Sequence, residues 1–312
     1  MFRKLTCIGL AIILSCTLAS CSLYKKEDRR VFGFTSMNNS NPYFVCILDE
    51  MRRQIEARGD VLIAVDGADS QEKQLNGIEN LIVQNIDGIF VNPVEAVGIE
   101  PALDALNAAG IPIVNFDSPV STPEKCITYV GSDNKNAGRV CGEDLVKMKP
   151  EGGEVIILGH DTADAVIDRV NGFLEGIEGH GFTVVGESDV RGDQSKAMNA
   201  TMDLLQANPE ATAIFCGTDP TCKGAMAGAE AAGYTDVLIY GIDGSPDVKK
   251  EIAKEDSLVK GDGAQSPLTT ARKSVEVMYA YLDGEELEDN YPVDTFLITR
   301  DNVEEYGLDG WQ

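Results

Sequence analysis

The sequence has 312 residues, of which 43% are hydrophobic, and this length is enough for two domains. Its 26 basic residues are outnumbered by 51 acidic ones, so the formal net charge is -25 at pH 7. Such a surface repels nucleic-acid phosphates and anionic lipid headgroups, which argues against a DNA-binding or RNA-binding function.

The first twenty residues have the pattern of an export signal. A short basic start, MFRK, precedes an apolar run of about fifteen residues that is too short for a comfortable membrane span. The next stretch, LASC (18–21), resembles a bacterial lipobox, a motif whose cysteine is lipidated after cleavage. The resemblance implies a lipoprotein signal peptide over 1–20, lipidation of Cys21 and a flexible tether over 21–30. An ordinary cleaved signal peptide and a short anchor are the alternatives.

From residue 31 onward, apolar runs of strand length alternate with segments of helical periodicity. The predicted strands are VFGFTS (31–36), VLIAVD (61–66), the apolar run within IDGIFVNP (86–93), IPIVNFD (111–117), CITYVGSD (126–133), EVIILG (154–159), FTVVGES (182–188), TAIFCGTD (212–219) and VLIYGIDG (237–244). The predicted helices are 41–58, 69–84, 95–109, 134–148, 164–178, 194–207 and 220–232. This alternation predicts two similar, doubly wound α/β domains, each with a parallel sheet covered on both faces.

The first predicted helix begins with two adjacent aromatic residues. Asn41 has the character of an N-cap and Pro42 that of the first helical residue. Tyr43 and Phe44 follow at once, and neighbouring side chains diverge by about 100° on a helix of 3.6 residues per turn. A buried stripe needs only one of them, so periodicity alone does not explain the second ring.

Short polar clusters follow several of the predicted strands. They are TSMNNSN (35–41), DGADS (66–70), NPVE (92–95), FDSP (116–119), GHDTAD (159–164), GTDPT (217–221) and GIDGSPD (241–247). In open parallel sheets, ligands bind at the carboxyl ends of the strands. These clusters are rich in Asp, Asn, Ser and Thr and poor in Lys, Arg and His, which suits a ligand with many neutral hydroxyls. Turn formation and helix capping are the alternative explanation for any single cluster.

The sequence offers no positive sign of catalysis, cofactor binding or a metal site. It contains no GxGxxG, GxxxxGK[ST], GxSxG or HExxH motif, and its two histidines are His160 and His180. His160 lies at a strand end and is a candidate cleft residue, whereas His180 lies in a turn-like stretch. Five cysteines follow Cys21, and free buried thiols are favoured over one disulfide because small apolar side chains suit their positions.

Nearly all of the segment 31–300 resembles the type I periplasmic sugar-binding proteins, especially the ribose-binding group, which are soluble receptors of ABC importers. The pieces that carry the resemblance are NPYF (41–44), FVNP (90–93), IPIVNFD (111–117), VGSDN (130–134), RVNGF (169–173), GTD (217–219), YGIDGSPD (240–247), GAQSP (263–267) and YPVD (291–294). Each is short, but their order and spacing are specific together. The resemblance implies two lobes joined by three crossover segments, near 130–131, 265–266 and Pro292. The first lobe would comprise 31–130 plus 266–291, with a helix over 266–284, and the second 131–265 plus 292–312.

The resemblance also implies a site in which aromatic faces cover the C–H surface of a sugar while polar side chains bind its hydroxyls. The implied ligand-binding residues are Asn41, Tyr43, Phe44, Asn92, Asp117, Ser118, Asp164, Thr218, Asp243 and Gln265. Ser118 and Ile167 stand where ribose binders have arginine, and Gly192 stands where they have an aromatic residue. Asp168 and Arg169 are alternatives near Ile167, although Arg169 fits a structural pair better. The ligand is therefore left as a pentose, a hexose or a cyclic polyol such as inositol.

The expected function is capture of a monosaccharide and delivery to an ABC permease and its ATPase, by a monomer that needs no cofactor and no nucleic acid. A receptor that presents the sugar to a chemotaxis or sensor-kinase partner is the alternative. A repressor lacks room for a DNA-binding head, because only nine residues separate Cys21 from Val31. A hydrolase with two cleft carboxylates would reveal itself by consuming sugar. Trp311, the only tryptophan, is expected to be a poor reporter of binding.

Overall fold

The computed structural model describes residues 29–312, in which strands and helices alternate as predicted. The strands are β1 (Val31–Ser36), β2 (Val61–Asp66), β3 (Gly88–Val91), β4 (Ile113–Phe116), β5 (Thr128–Ser132), β6 (Gly153–Gly159), β7 (Phe182–Asp189), β8 (Ala211–Cys216), β9 (Leu238–Asp243), β10 (Val259–Ala264), β11 (Asn290–Val293) and β12 (Phe296–Thr299). The helices are α1 (Pro42–Glu56), α2 (Gln71–Val83), α3 (Glu100–Ala108), α4 (Asn134–Met148), α5 (Asp164–Ile177), α6 (Gln194–Ala207), α7 (Asp219–Ala231), α8 (Pro246–Ile252) and α9 (Pro267–Leu282).

The strands form two six-stranded sheets, which confirms the predicted fold class. The strand order is β11-β5-β4-β3-β1-β2 in the first sheet and β12-β10-β9-β8-β6-β7 in the second. Neighbouring strands are parallel except for β12, which pairs antiparallel with β10. Apolar side chains pack on both faces of each sheet, because helices cover both faces.

The chain passes between the two sheets three times. It leaves the first sheet after β5, because α4 packs against α5 and β10. It returns after β10, since α9 packs against α1 and β5, and it passes to the second sheet again between β11 and β12. β5 ends at Ser132 and β11 at Val293, just past the boundaries predicted at 130 and 291.

Helices α4 and α5 cross at very short distance, and this crossing places the side chain of Arg169. A β-carbon at Gly138 of α4 would collide with the Arg169 carbonyl, and one at Gly172 of α5 would collide with the Lys135 carbonyl. Glycine at both positions therefore lets the two backbones touch. Arg169 is fixed at the interface between α5 and the second sheet rather than on the helix surface.

The five cysteines in the described residues are free, with Cys141, Cys216 and Cys222 buried and Cys46 and Cys126 partly buried. Residues 29–312 contain no helix that is long and apolar enough to cross a membrane. The predicted signal peptide, the lipidation site at Cys21 and nearly all of the tether lie outside the described residues.

Candidate functional site

A cleft of about 450 Å³ lies where the carboxyl ends of strands from both sheets face each other. The first sheet contributes residues that follow β1, β2 and β4, and the second contributes residues at or after the ends of β6, β7, β8 and β9. Seven of the ten predicted ligand-binding residues line it, namely Asn41, Tyr43, Phe44, Asp117, Ser118, Thr218 and Asp243. The topology therefore brings together polar clusters that are far apart in the sequence.

The two aromatic residues of the first helix both face the cleft. The Asn41 side chain caps α1 by accepting a hydrogen bond from the Tyr43 backbone N–H at 2.9 Å, and Pro42 opens the helix. Tyr43 and Phe44 then lie edge to face, with ring centroids 5.4 Å apart. Both rings are buried and also pack on the core of the first sheet. They are thus cleft walls with rigid support.

Asp117 follows β4 and is buried at the cleft wall. Its backbone has φ of +63°, a left-handed conformation that non-glycine residues rarely adopt. Asn92 holds the carboxylate by donating from Nδ2 to Asp117 Oδ2 at 3.0 Å. Burial raises the pKa of Asp117, while the positive charge of Arg169 acts against this rise. The strained backbone turns a carboxylate toward the cleft, which is a common feature of functional sites.

Asp243 is the counterpart of Asp117 on the second sheet. It ends β9 with φ of +134°, and its carboxylate accepts hydrogen bonds from Gln265 Nε2 at 2.7 Å and from the Asp219 backbone N–H at 3.2 Å. Burial raises the pKa of Asp243 to about 7, against the lowering effect of Arg169. This carboxyl therefore titrates close to neutral pH.

Arg169 links the charges of the cleft. Its Nη1 donates to the Gly217 carbonyl at 2.9 Å and lies 3.4 Å from Asp243 Oδ1, while its Nε donates to Asn134 at 2.8 Å. The side chain is 4% exposed and lines the cleft. A buried cation needs a negative partner, and here Asp243 provides it. The structural pair predicted for Arg169 exists, and the same guanidinium also faces the ligand space.

Three of the predicted ligand-binding residues do not line the cleft. Asn92 and Gln265 are fully buried behind it, where they hold Asp117 and Asp243. Gln265 also accepts a hydrogen bond from the Tyr43 hydroxyl at 3.2 Å, so it connects residues of both sheets. Asp164 is exposed in the first turn of α5 and does not line the cleft, whereas its neighbours Ala163, Ala165 and Val166 do.

Of four further positions considered in the sequence, two line the cleft and two do not. Ile167 is exposed and does not line the cleft, whereas Gly192 lines it with φ of +70°. His160 lines the cleft as the strand-end position suggested, and His180 is exposed in the loop before β7. Among residues 29–312, no cluster of three or more His, Cys, Asp or Glu side chains is arranged to hold a metal ion.

The chain is similar to known proteins over nearly its whole length. The family model for the periplasmic binding protein domain matches residues 32–286. The chain belongs to the periplasmic binding protein family. The ribose import binding protein RbsB of Escherichia coli K12 is 29% identical over 299 residues, which cover 96% of this chain and 99% of RbsB. Members of this family are solute-binding proteins of ABC transporters and not enzymes.

Two solved structures of periplasmic binding proteins have the same fold. An ABC transporter solute-binding protein from Mycobacterium smegmatis with bound glycerol has a TM-score of 0.85 and 28% identity, over 91% of this chain and 98% of that one. One from Bacillus halodurans C-125 with bound myo-inositol has a TM-score of 0.82 and 27% identity, over 90% and 98%. These matches confirm the type I fold.

Two residues of this periplasmic binding protein were missed or undervalued from the sequence. The burial of Arg169 could have been predicted from helical periodicity, because Arg169 lies on the same buried face of α5 as Val166 and Phe173. Trp311 has no such signal. It lines the cleft with its ring centroid 5.9 Å from that of Tyr43, although it lies at the C-terminal end of the sequence.

A second pair of buried carboxyls lies directly behind Asp243. Asp219 accepts from the Ser245 backbone N–H at 2.7 Å, and Asp262 of β10 accepts from the Gly244 backbone N–H at 3.0 Å. Burial raises the pKa of both groups, to about 6 for Asp262, and the charge of Asp262 raises the pKa of Asp219 further. Two neighbouring buried carboxyls do not both ionise readily, because burial and the like charge disfavour the ionised forms.

These carboxyls make the stability of the ligand-free chain depend on pH. A carboxyl whose pKa is higher in the folded state binds a proton more tightly there, so its stabilising effect is complete below about pH 4 and is lost as the pH rises through its folded pKa. Because Asp262 and Asp243 have folded pKa values of about 6 and about 7, the loss falls between pH 4 and 8. We expect the melting temperature to fall by about 5 °C or more between pH 5 and pH 8.

Thermal melts followed by circular dichroism measure this dependence. Asp219→Asn should make the fall smaller, because it removes one of the carboxyls whose pKa burial raises. The exposed Asp203 is the matched control, and Asp203→Asn should keep the full fall. A melting temperature that is constant or rises from pH 5 to pH 8 would contradict the assignment, as would an equal fall in all three proteins.

Proposed function

We propose that this chain is an extracytoplasmic receptor that captures one monosaccharide or cyclic polyol in the cleft and delivers it to an ABC permease and ATPase. The observation that carries the proposal is the pair of buried carboxylates, Asp117 and Asp243, which reach one cleft from two different sheets. Buried carboxylates need hydrogen-bond donors, and a ligand with several hydroxyls supplies them on both sides.

The size and walls of the cleft support a ligand with one ring. About 450 Å³ is within the range for small-molecule sites. Tyr43 and Phe44 offer apolar faces for the C–H surface of a sugar, while Asn41, Ser118 and Thr218 offer short polar groups. Arg169 can donate to a ring or hydroxyl oxygen. Asn92 and Gln265 act by holding the two carboxylates in place.

The relatives support the same class of ligand without naming one sugar. The E. coli relative is a ribose import binding protein, and the B. halodurans structure holds myo-inositol. Serine at position 118 offers a hydroxyl rather than a guanidinium. We therefore propose a pentose, a hexose or a cyclic polyol.

We propose two lobes, one comprising 31–130 plus 266–291 and the other 131–265 plus 292–312. A ligand that binds both Asp117 and Asp243 favours the closed arrangement of these lobes. A ligand shifts the open and closed populations only by its difference in affinity for them. The closed form would then be what the permease recognises. We propose that the receptor acts as a monomer.

We expect a panel of sugars and polyols to identify the ligand by thermal stabilisation. The purified full chain in mild detergent is melted with D-ribose, L-arabinose, D-allose, D-galactose, D-glucose and myo-inositol. A ligand at 100 times its Kd stabilises the fold by about 2.7 kcal/mol. Asp117→Asn and Asp243→Asn should each weaken binding of the stabilising sugar about 10- to 100-fold by calorimetry, since each removes a charged acceptor.

Asp203→Asn is again the control and should bind with unchanged affinity, because Asp203 is exposed on α6. Two results would contradict the proposed function. One is a panel without any stabilising compound for a correctly folded chain. The other is a stabilising sugar that Asp117→Asn and Asp243→Asn each bind with the same affinity as the wild type.

We also propose that Cys21 carries a lipid and anchors the receptor to the cell membrane, with residues 1–20 as the signal peptide. The basic start, the short apolar run and the small residues before Cys21 support this. In a bacterial host, the wild-type chain should incorporate labelled palmitate and sediment with membranes, whereas Cys21→Ser should do neither. A labelled Cys21→Ser chain, or an unlabelled wild type that is exported, would refute the anchor.

A further inference from the structure

The final residues of the sequence return to the cleft and bring an aromatic side chain into it. Trp311 lines the cleft with its ring at 76° to the Tyr43 ring. On the side of the second sheet, the lining residues include Gly192, Thr218 and several charged groups, but within residues 29–312 they include no Phe or Tyr. Trp311 packs against Tyr43 and the core of the first sheet, and it adds an aromatic ring to a cleft whose second-sheet side has none among the described residues.

Specific hydrogen bonds hold the segment 307–312, which we call the tail, against the second sheet. Gln312 Nε2 donates to the Gln265 carbonyl at 2.9 Å and to the Gly244 carbonyl at 3.1 Å. A β-carbon at Gly244 would collide with the Gln312 amide, so only glycine leaves room for this contact. Both acceptors adjoin groups already placed at the site, because Gly244 follows Asp243 and Gln265 binds its carboxylate.

A buried lysine is committed to the same tail. Lys249 of α8 has 0% exposure, and its ammonium donates to the Gly310 carbonyl at 2.6 Å and to Gln312 Oε1 at 3.1 Å. Burying an ammonium is costly unless its donors are satisfied. The tail supplies hydrogen-bond acceptors for Lys249, so its contact with α8 stabilises both the buried lysine and the position of the tail.

We propose that Trp311 is a ligand-contacting residue, held by the tail, whose indole forms an apolar wall of the binding site. This inference rests on the proposed function. Gln312, the neighbour of Trp311, binds the Gln265 carbonyl, and the Gln265 side chain binds Asp243. The indole itself packs against Tyr43. It can therefore cover a C–H face of a sugar whose hydroxyls the two carboxylates bind. Trp311 thereby helps to select ligands that present an apolar face in that direction.

The alternative is that Trp311 only fills space, because its ring also borders a shallow outer groove lined by Val45 and Leu268. The two roles predict different results when a ligand binds. A wall residue becomes shielded from solvent on the cleft side and contributes to affinity. A filler contributes to stability and leaves affinity unchanged.

Fluorescence tests the wild-type chain directly, because Trp311 is its single tryptophan. Acrylamide quenching is measured with and without each of D-ribose, D-allose and myo-inositol, and with any other panel compound that raises the melting temperature. For a stabilising compound, we expect the quenching constant to fall at least about twofold and the emission to shift, since the ligand covers the indole. Unchanged emission and quenching at saturation would overturn the inference.

Calorimetry of variants measures the contribution to affinity. Trp311→Ala should weaken binding of the same compound by about tenfold or more, and Trp311→Phe should restore much of it, because a ring remains. Tyr281→Ala is the control, since Tyr281 is exposed on α9 away from the cleft. Equal affinity of Trp311→Ala and the wild type would overturn the inference while the proposed function stands. If no compound in the panel binds the wild type, the proposed function and this inference fall together.

Discussion

The structure depends on one constraint, which is that charged groups are buried where two sheets meet and must be satisfied there. Asp117 and Asp243 are 4% and 3% exposed, and Arg169 lies among them with 4% exposure. The guanidinium acts on the pKa of both carboxyls and forms an ion pair with Asp243. One arginine only partly compensates two buried carboxylates, so the site favours a ligand that brings hydrogen-bond donors.

Much of the surrounding structure holds these three groups in place. Asn92 and Gln265 are fully buried and donate to one carboxylate each. The glycines at the crossing of α4 and α5 let the backbone of Arg169 lie directly against α4. These residues never touch the ligand in our account, but the geometry of the site depends on them.

The crossovers and the tail place the same constraint on lobe movement. Gln265 contacts Tyr43 of the first lobe and Asp243 of the second, and Gln312 binds the Gln265 carbonyl. Movement of the two sheets relative to each other must keep or replace these hydrogen bonds, because a buried polar group without a partner is costly. Ligand affinity and lobe closure are therefore expected to involve the same few residues.

The fold could be predicted from the sequence wherever local periodicity and packing agree. β1, β2, α4 and α6 lie where the apolar pattern puts them. β10, by contrast, reads VKGDGA, and its glycines and charges disfavour a strand until the neighbouring strands bury it.

The site was predictable in the same way, as far as residues at strand ends are concerned. Asp117 and Asp243 follow apolar strands, so their place at the sheet edge could be inferred. Whether Asn92 and Gln265 touch the ligand or support the carboxylates depends on side-chain packing, which the sequence does not reveal. Trp311 reaches the cleft only because the fold brings the tail back to Gly244, a long-range contact that no local pattern signals.

A crystal structure of the full chain with the sugar that raises its melting temperature most tests the central claim directly. We expect one ligand in the cleft, with hydroxyl oxygens about 2.5–3.0 Å from the carboxylates of both Asp117 and Asp243. A ligand bound outside the cleft, or one that contacts neither carboxylate, would contradict this claim.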